Sequence, residues 1–257
     1  MSAERSDCPD WRDGAAYRPL LDADRSLIAW EWLRRDPDYR AAAIRCFNAG
    51  PIHGAGSLAP RHFGLIAFEP PGRAVPYARP LWTRAVHPFV LPVERGPDTH
   101  PADGLEIERF GRLRELVIAD GREHLLLSDG LRTIRLDGSA GTFTNGPANL
   151  AYSIYGLCSS EAPLLTLRRL LVLAKTSRFS RMLHRPEAHA NRWVLILRAA
   201  DGLAAGARQR EIAEVLLSRS AREPQWRIRD PSLRLKVQRL VRLARHFAGD
   251  GYRELLG

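Results

Sequence analysis

The hydrophobic period of this chain changes twice along its length, and those changes limit what it can fold into. Residues 1 to about 50 carry short helical patterns: Asp22 or Asp24 stands where it can cap a helix running through Arg35, and Pro37 where it can open a second one toward Phe47. Leu27, Trp30, Leu33 and Ile44 supply the stripe expected to be buried, with Trp11, Tyr17, Trp30, Trp32 and Tyr39 as packing area. From about residue 55 to 140 the pattern becomes short apolar runs cut by Gly and Pro. Asp120-Gly121 and Asp129-Gly130 lie between such runs and predict hairpins in a small antiparallel sheet. Pro76, Pro80, Pro88 and Pro92 predict edge strands or breaks, and Asp137, like Asp120 and Asp129, is expected at a turn. After a joint rich in Gly, Asn and Pro at residues 141–149, helical spacing returns through Leu164, Leu167, Leu170, Leu171 and Ala174, then through Ala190 to Leu203, and two more helices follow. The expected class is α+β, with a helical unit at 1–52, an antiparallel β-rich domain at 53–148 and an all-α region at 161–257.

Charge follows the same division. Residues 1–160 carry 19 Lys and Arg against 20 Asp and Glu, a net of −1, whereas residues 161–257 carry 20 against 9, a net of +11. Eighteen of those twenty cations are Arg, whose planar fork of donors matches phosphate oxygens and guanine edges. A genome that favours Arg over Lys accounts for the residue type but not for the asymmetry, so a polyanionic partner is the natural reading.

The C-terminal helices have the parts of a helix-turn-helix unit, which needs one helix crossing the phosphate backbone and a second entering the major groove. The first is expected over 208–217, opened by Arg208, Gln209 and Arg210 at a helix N-terminus that suits a phosphate. For the second, Asp230 is an N-cap, Pro231 a first-turn residue and Gly249 a stop; Leu233, Val237, Leu240, Ala244 and Phe247 form its dry stripe. Ser232, Arg234, Leu235, Gln238 and Arg239 are the candidate base readers, and Arg229, Lys236, Arg242 and Arg245 the candidate phosphate contacts. The thirteen residues 218–230 replace the usual turn of about 3 to 4, so the geometry is a variant one, with Trp226 expected to plug its core.

These residues resemble a known family. The stretch RWVLILRAADGLAAGARQREIAEVLL, the loop Trp and DPSLRLKVQRLVRLARHFAGDGYRELL are similar to the variant helix-turn-helix domain of proteobacterial activators and antiactivators of conjugative-element transfer. PDWRDGAAYRPLLDADRSLIAWEWLRRDPDYR is similar to the regulator-like domain that precedes it in the activators. The resemblance covers the two ends of the chain, about half of it. It implies a transcription activator akin to excision activators of integrative elements or the oligomeric activator of type VI secretion genes. Double-stranded DNA, further copies of the chain, RNA polymerase and an antiactivator protein are the partners it implies. The alternative is an antiactivator-like module that binds another regulator.

Other chemistries find less support. Gly54-Ala55-Gly56-Ser57 lacks the GxxxxGK(S/T) pattern of a phosphate loop, and no convincing strand leads into it. The nearest His pair, His184 and His189, has the wrong spacing to share a helix face, and the three cysteines, Cys8, Cys46 and Cys158, have no CxxC spacing. No catalytic constellation assembles, so neither enzyme activity, cofactor nor metal is expected. With no apolar run long enough to span a membrane and no secretory h-region in Met1–Asp13, a cytoplasmic location is expected.

Overall fold

The computed structural model describes residues 8–49, 59–97, 100 and 103–257. The Gly54–Ser57 stretch and residues 1–7 of the N-terminal segment lie outside the described residues. A 3-10 stretch, Gly14–Leu21, leads into helices α1 (Arg25–Leu33) and α2 (Pro37–Ala49). Leu27, Trp30 and Leu33 are buried, as are Trp11, Tyr17, Trp32 and Tyr39, which makes this aromatic crowd core rather than surface. Ile44 departs from expectation at 48% exposed. Tyr39, Ala42 and Ala43 form the inward face of α2, and Ile44 lies roughly 140° around the helix from Tyr39. Asp24 holds the N-cap position of α1 without a side-chain bond to that helix; its carboxylate accepts instead from the Thr133 N–H (2.7 Å) and hydroxyl (3.1 Å).

The sheet has five strands: β1 (Val90–Arg95), β2 (Arg114–Ala119), β3 (Arg122–Ser128), β4 (Thr133–Ser139) and β5 (Leu150–Tyr152), in the order β2-β3-β4-β1-β5. It departs from the antiparallel sheet expected from sequence, because β1 and β4 pair in parallel with Val90 opposite Arg135. Strands β2 and β3 lie between β1 and β4 in the chain, which gives the long connection that parallel pairing requires. The β2–β3 turn does follow the sequence: Asp120 (φ 51°) and Gly121 (φ 70°) make the two-residue left-handed turn that matches strand twist. At the next turn the Asp129 carboxylate accepts from the amides of Leu131 (3.0 Å) and Arg132 (2.8 Å). Asp137, by contrast, lies within β4, 2.9 Å from His124 Nδ1. Pro92 also departs from the edge-strand expectation, since β1 has neighbours on both sides. Its carbonyl accepts from Ser153 N–H at the last rung against β5, so the missing N–H removes only a terminal bond.

Helix α3 (Glu161–Thr176) packs on β1 and β4 through Leu170 and Leu173, leaving Leu164 and Leu171 exposed. Then come α4 (Ala190–Ala204), α5 (Gln209–Leu216), the short α6 (Trp226–Arg229), α7 (Pro231–Ala248) and a 3-10 stretch, Asp250–Leu255. One apolar cluster joins the two ends of the chain: Trp30, Tyr39 and Trp82 share it with Ile196, Ala244, Phe247 and Leu256. The Trp32 ring of α1 lies 5.5 Å from Phe247 of α7. Gly202 of α4 admits Trp11, because a Cβ there would meet the indole at 3.0 Å. The sheet and α3 enclose a second core around Leu91, Leu125, Leu136 and Leu173. Among the described residues no helix is long and apolar enough to cross a membrane, and no group of three or more His, Cys, Asp or Glu is placed to hold a metal ion.

Candidate nucleic-acid interface

Helix α7 begins as its sequence dictates. The Asp230 carboxylate accepts from Leu233 N–H at 2.8 Å, and Pro231 fills the first turn, where no N–H is needed. Leu233, Val237, Leu240, Ala244 and Phe247 are all buried, joined by Val241. Burying this stripe fixes the rotation of the helix about its axis. The opposite side therefore faces solvent, and Ser232, Arg234, Leu235, Lys236, Gln238, Arg239, Arg242 and Arg245 are all exposed there. No acidic residue occurs between Asp230 and Asp250. Accordingly the side chains of Arg234, Lys236, Arg239, Arg242 and Arg245 make no ion pair among the described residues.

The loop before α7 is structured. A 3-10 turn, Arg219–Arg222, and α6 fold around Trp226, which is 7% exposed and packs with Ala213, Ala221, Leu233 and Val237. The candidate residues at the start of α5 have varied surroundings. Arg208 is exposed, with its backbone N–H held by the Glu211 carboxylate at 2.7 Å. The Gln209 side-chain oxygen accepts from Arg227 (3.1 Å). Arg210 donates to the carbonyls of Ala221 and Arg222, tying the 3-10 turn to α5. Arg229 pairs with Glu223 at 3.3 Å, both exposed, an interaction that solvent screening makes weak. Three exposed cations of this loop, Arg219, Arg222 and Arg227, were not singled out by sequence; Arg222 pairs with Glu214 at 2.5 Å.

A second charged group lies behind this surface. Arg35 grips Asp201 of α4 with two bonds, Nε at 2.7 Å and Nη2 at 3.0 Å, and also donates to Glu31 at 2.6 Å. Arg34, 1% exposed, meets the same Glu31 oxygen at 2.7 Å, while Val75 N–H binds the other at 2.9 Å. Burial pushes the Glu31 carboxyl up, but the Arg35 and Arg34 guanidiniums more than reverse this and hold it below its usual range. Tyr17 completes the group with a 2.7 Å bond to Asp201. Only the Glu31, Arg34, Arg35 spacing was visible in the sequence, as a pattern of neighbours three and four apart. Asp201 is 166 positions from Arg35.

Residues 160–257, which contain every candidate contact, match the family described as a type VI secretion system (T6SS) transcription factor, DNA-binding domain. The chain is a DNA-binding transcription regulator. Residues 10–59 match the proteobacterial transcriptional regulator-like domain, so both ends of the regulator have relatives among transcription proteins. No curated protein and no solved structure matches it. In this regulator the buried group joins the two matched regions, since Glu31, Arg34 and Arg35 belong to one and Asp201 to the other.

Proposed function

We propose that the regulator activates transcription by seating α7 in the major groove of its operator. Ser232, Arg234, Leu235, Gln238 and Arg239 would read base edges; Arg208, Gln209, Arg210, Arg229, Lys236, Arg242 and Arg245 would hold phosphates. The observation that carries the reading is the row of exposed, unpaired cations opposite the buried stripe of α7. Long-range attraction by the +11 region captures DNA, and short-range contacts then select the site. Self-association and a contact to RNA polymerase fall to the remaining regions, and type VI secretion or conjugative-element operons are the proposed targets, in the bacterial cytoplasm.

Fluorescence anisotropy against the DNA upstream of such operons tests this. Changing Arg234, Arg239 and Arg242 together to Ala should weaken binding by roughly 100-fold or more, and the slope of log affinity against log salt should fall by about 0.9 for each phosphate that is no longer neutralised. Unchanged affinity and slope would remove α7 from the interface. A second reading, capture of another regulator, draws on the exposure of Ile228 (75%) and Leu235 (57%) beside these cations. A largely apolar partner contact would keep its affinity across the salt series.

A further inference from the structure

We infer that the regulator has an anion-binding cavity where its three regions meet, suited to a small organic phosphate or carboxylate. The cavity, about 200 Å³, is bounded by the start of α1, by β4, by α3, by the 185–187 segment and by Leu255 and Leu256 beyond α7. It far exceeds the roughly 10–15 Å³ that holds one water, and falls below the roughly 300 Å³ at which drug-sized sites begin. A metabolite of few carbon atoms is the matching size.

Four arginines line it: Arg25, Arg135, Arg169 and Arg185. The two acidic side chains beside them are already engaged. Asp24 is held by Thr133, and Glu187 pairs with Arg25 at 3.3 Å and accepts from His189 N–H at 3.1 Å. Arg135, Arg169 and Arg185 make no ion pair among the described residues. Arg135 is 3% exposed; two backbone carbonyls, of Leu125 and Leu136, accept from its Nη1 and its Nη2 lies 3.0 Å from His124 Nδ1, but its buried Nε has no partner among the described residues. A buried cation whose nearby acid, Asp137, is already shared with Arg122 and His124 is costly, and a bound oxyanion supplies a further counter-charge. Burial lowers the Arg135 guanidinium to about 10, Asp137 only partly offsetting it, and lowers Arg169 as well, with Asp24 partly offsetting that. Phe89 sits beneath Arg169 at 5.7 Å and, with Leu255 and Leu256, gives the cavity an apolar wall for a carbon skeleton. The carbonyl of Leu256 also meets His87 at 3.1 Å, so the segment after α7 forms part of the wall itself.

Thermal unfolding of the full chain with glycerol 3-phosphate or malonate, against chloride at equal ionic strength, tests the inference. At about 100 times Kd the midpoint should rise by roughly 5 °C or more with at least one of the two, and which one responds tells phosphate from carboxylate. Arg169→Gln and the exposed-rim variant Arg185→Ala should each weaken binding at least tenfold by calorimetry. The Arg234, Arg239 and Arg242 triple Ala variant should bind the anion unchanged, which separates this cavity from the DNA surface. A midpoint that rises no more than with chloride, or binding indifferent to both Arg169→Gln and Arg185→Ala, overturns the inference. Failure of DNA binding alone leaves it standing.

Discussion

The arginines that close α1 at its C-terminal end, Arg34 and Arg35, and those of α7 are the same residue in opposite physical states. Arg34 and Arg35 follow Glu31 by three and four positions and both pair with it, and Arg35 also meets Asp201 across the fold, so they are enclosed with counter-charges. The α7 arginines have no carboxylate along their own helix and none near enough from its neighbours, so they stay in water with their donors free for a partner. The lesson is that the count of arginines says little about function. What separates a structural guanidinium from a binding one is whether the fold brings an acid within reach. The first kind joins elements of the protein, and removing its partner leaves a buried charge. The second contributes little to stability, and its effect is read in association with a polyanion.

The sharpest way to break the comparison is Glu31→Ala. It leaves two enclosed guanidiniums short of a counter-charge and should cost about 3–5 kcal/mol in urea unfolding. A cost under about 1 kcal/mol would mean that the two sets of arginines do not differ in kind. The acid limb of stability sharpens it next. The folded Glu31 carboxyl is held below its ordinary 4.5, so its contribution is complete above that pH and is lost as pH falls through the lower, folded value. Glu31→Gln should therefore make the decline in stability below about pH 4.5 shallower. The α7 triple Ala variant should keep the decline of the parent protein; a shallower limb there would reveal acid pairs that the structure does not contain. The smallest effect belongs to Arg242→Ala, which should change stability by no more than about 0.5 kcal/mol while lowering the salt slope of DNA binding by about 0.9. Loss of stability beyond that would move Arg242 to the structural set.

Much of the C-terminal surface is legible in the amino-acid sequence. The cap at Asp230, the stop at Gly249 and the apolar spacing of α7 act within a few residues of one another, and the solvent face follows once the dry face is known. The Asp120-Gly121 turn is legible for the same reason, as its backbone sign is a local property. Ile44 is not, because several rotations of α2 satisfy its weak apolar pattern, and only the neighbours that Tyr39 finds select one.

By itself the sequence determined the α+β class, the concentration of positive charge after residue 160, and which helix has one dry side and one basic side. Tertiary structure decided the parallel pairing of β1 with β4, the meeting of Arg35 with Asp201, and the arginine-lined cavity. The physical reason is range. Caps, turns and helical periodicity are settled by neighbours a few positions apart, whereas a counter-charge or a cavity wall depends on which distant segments the closed core brings together.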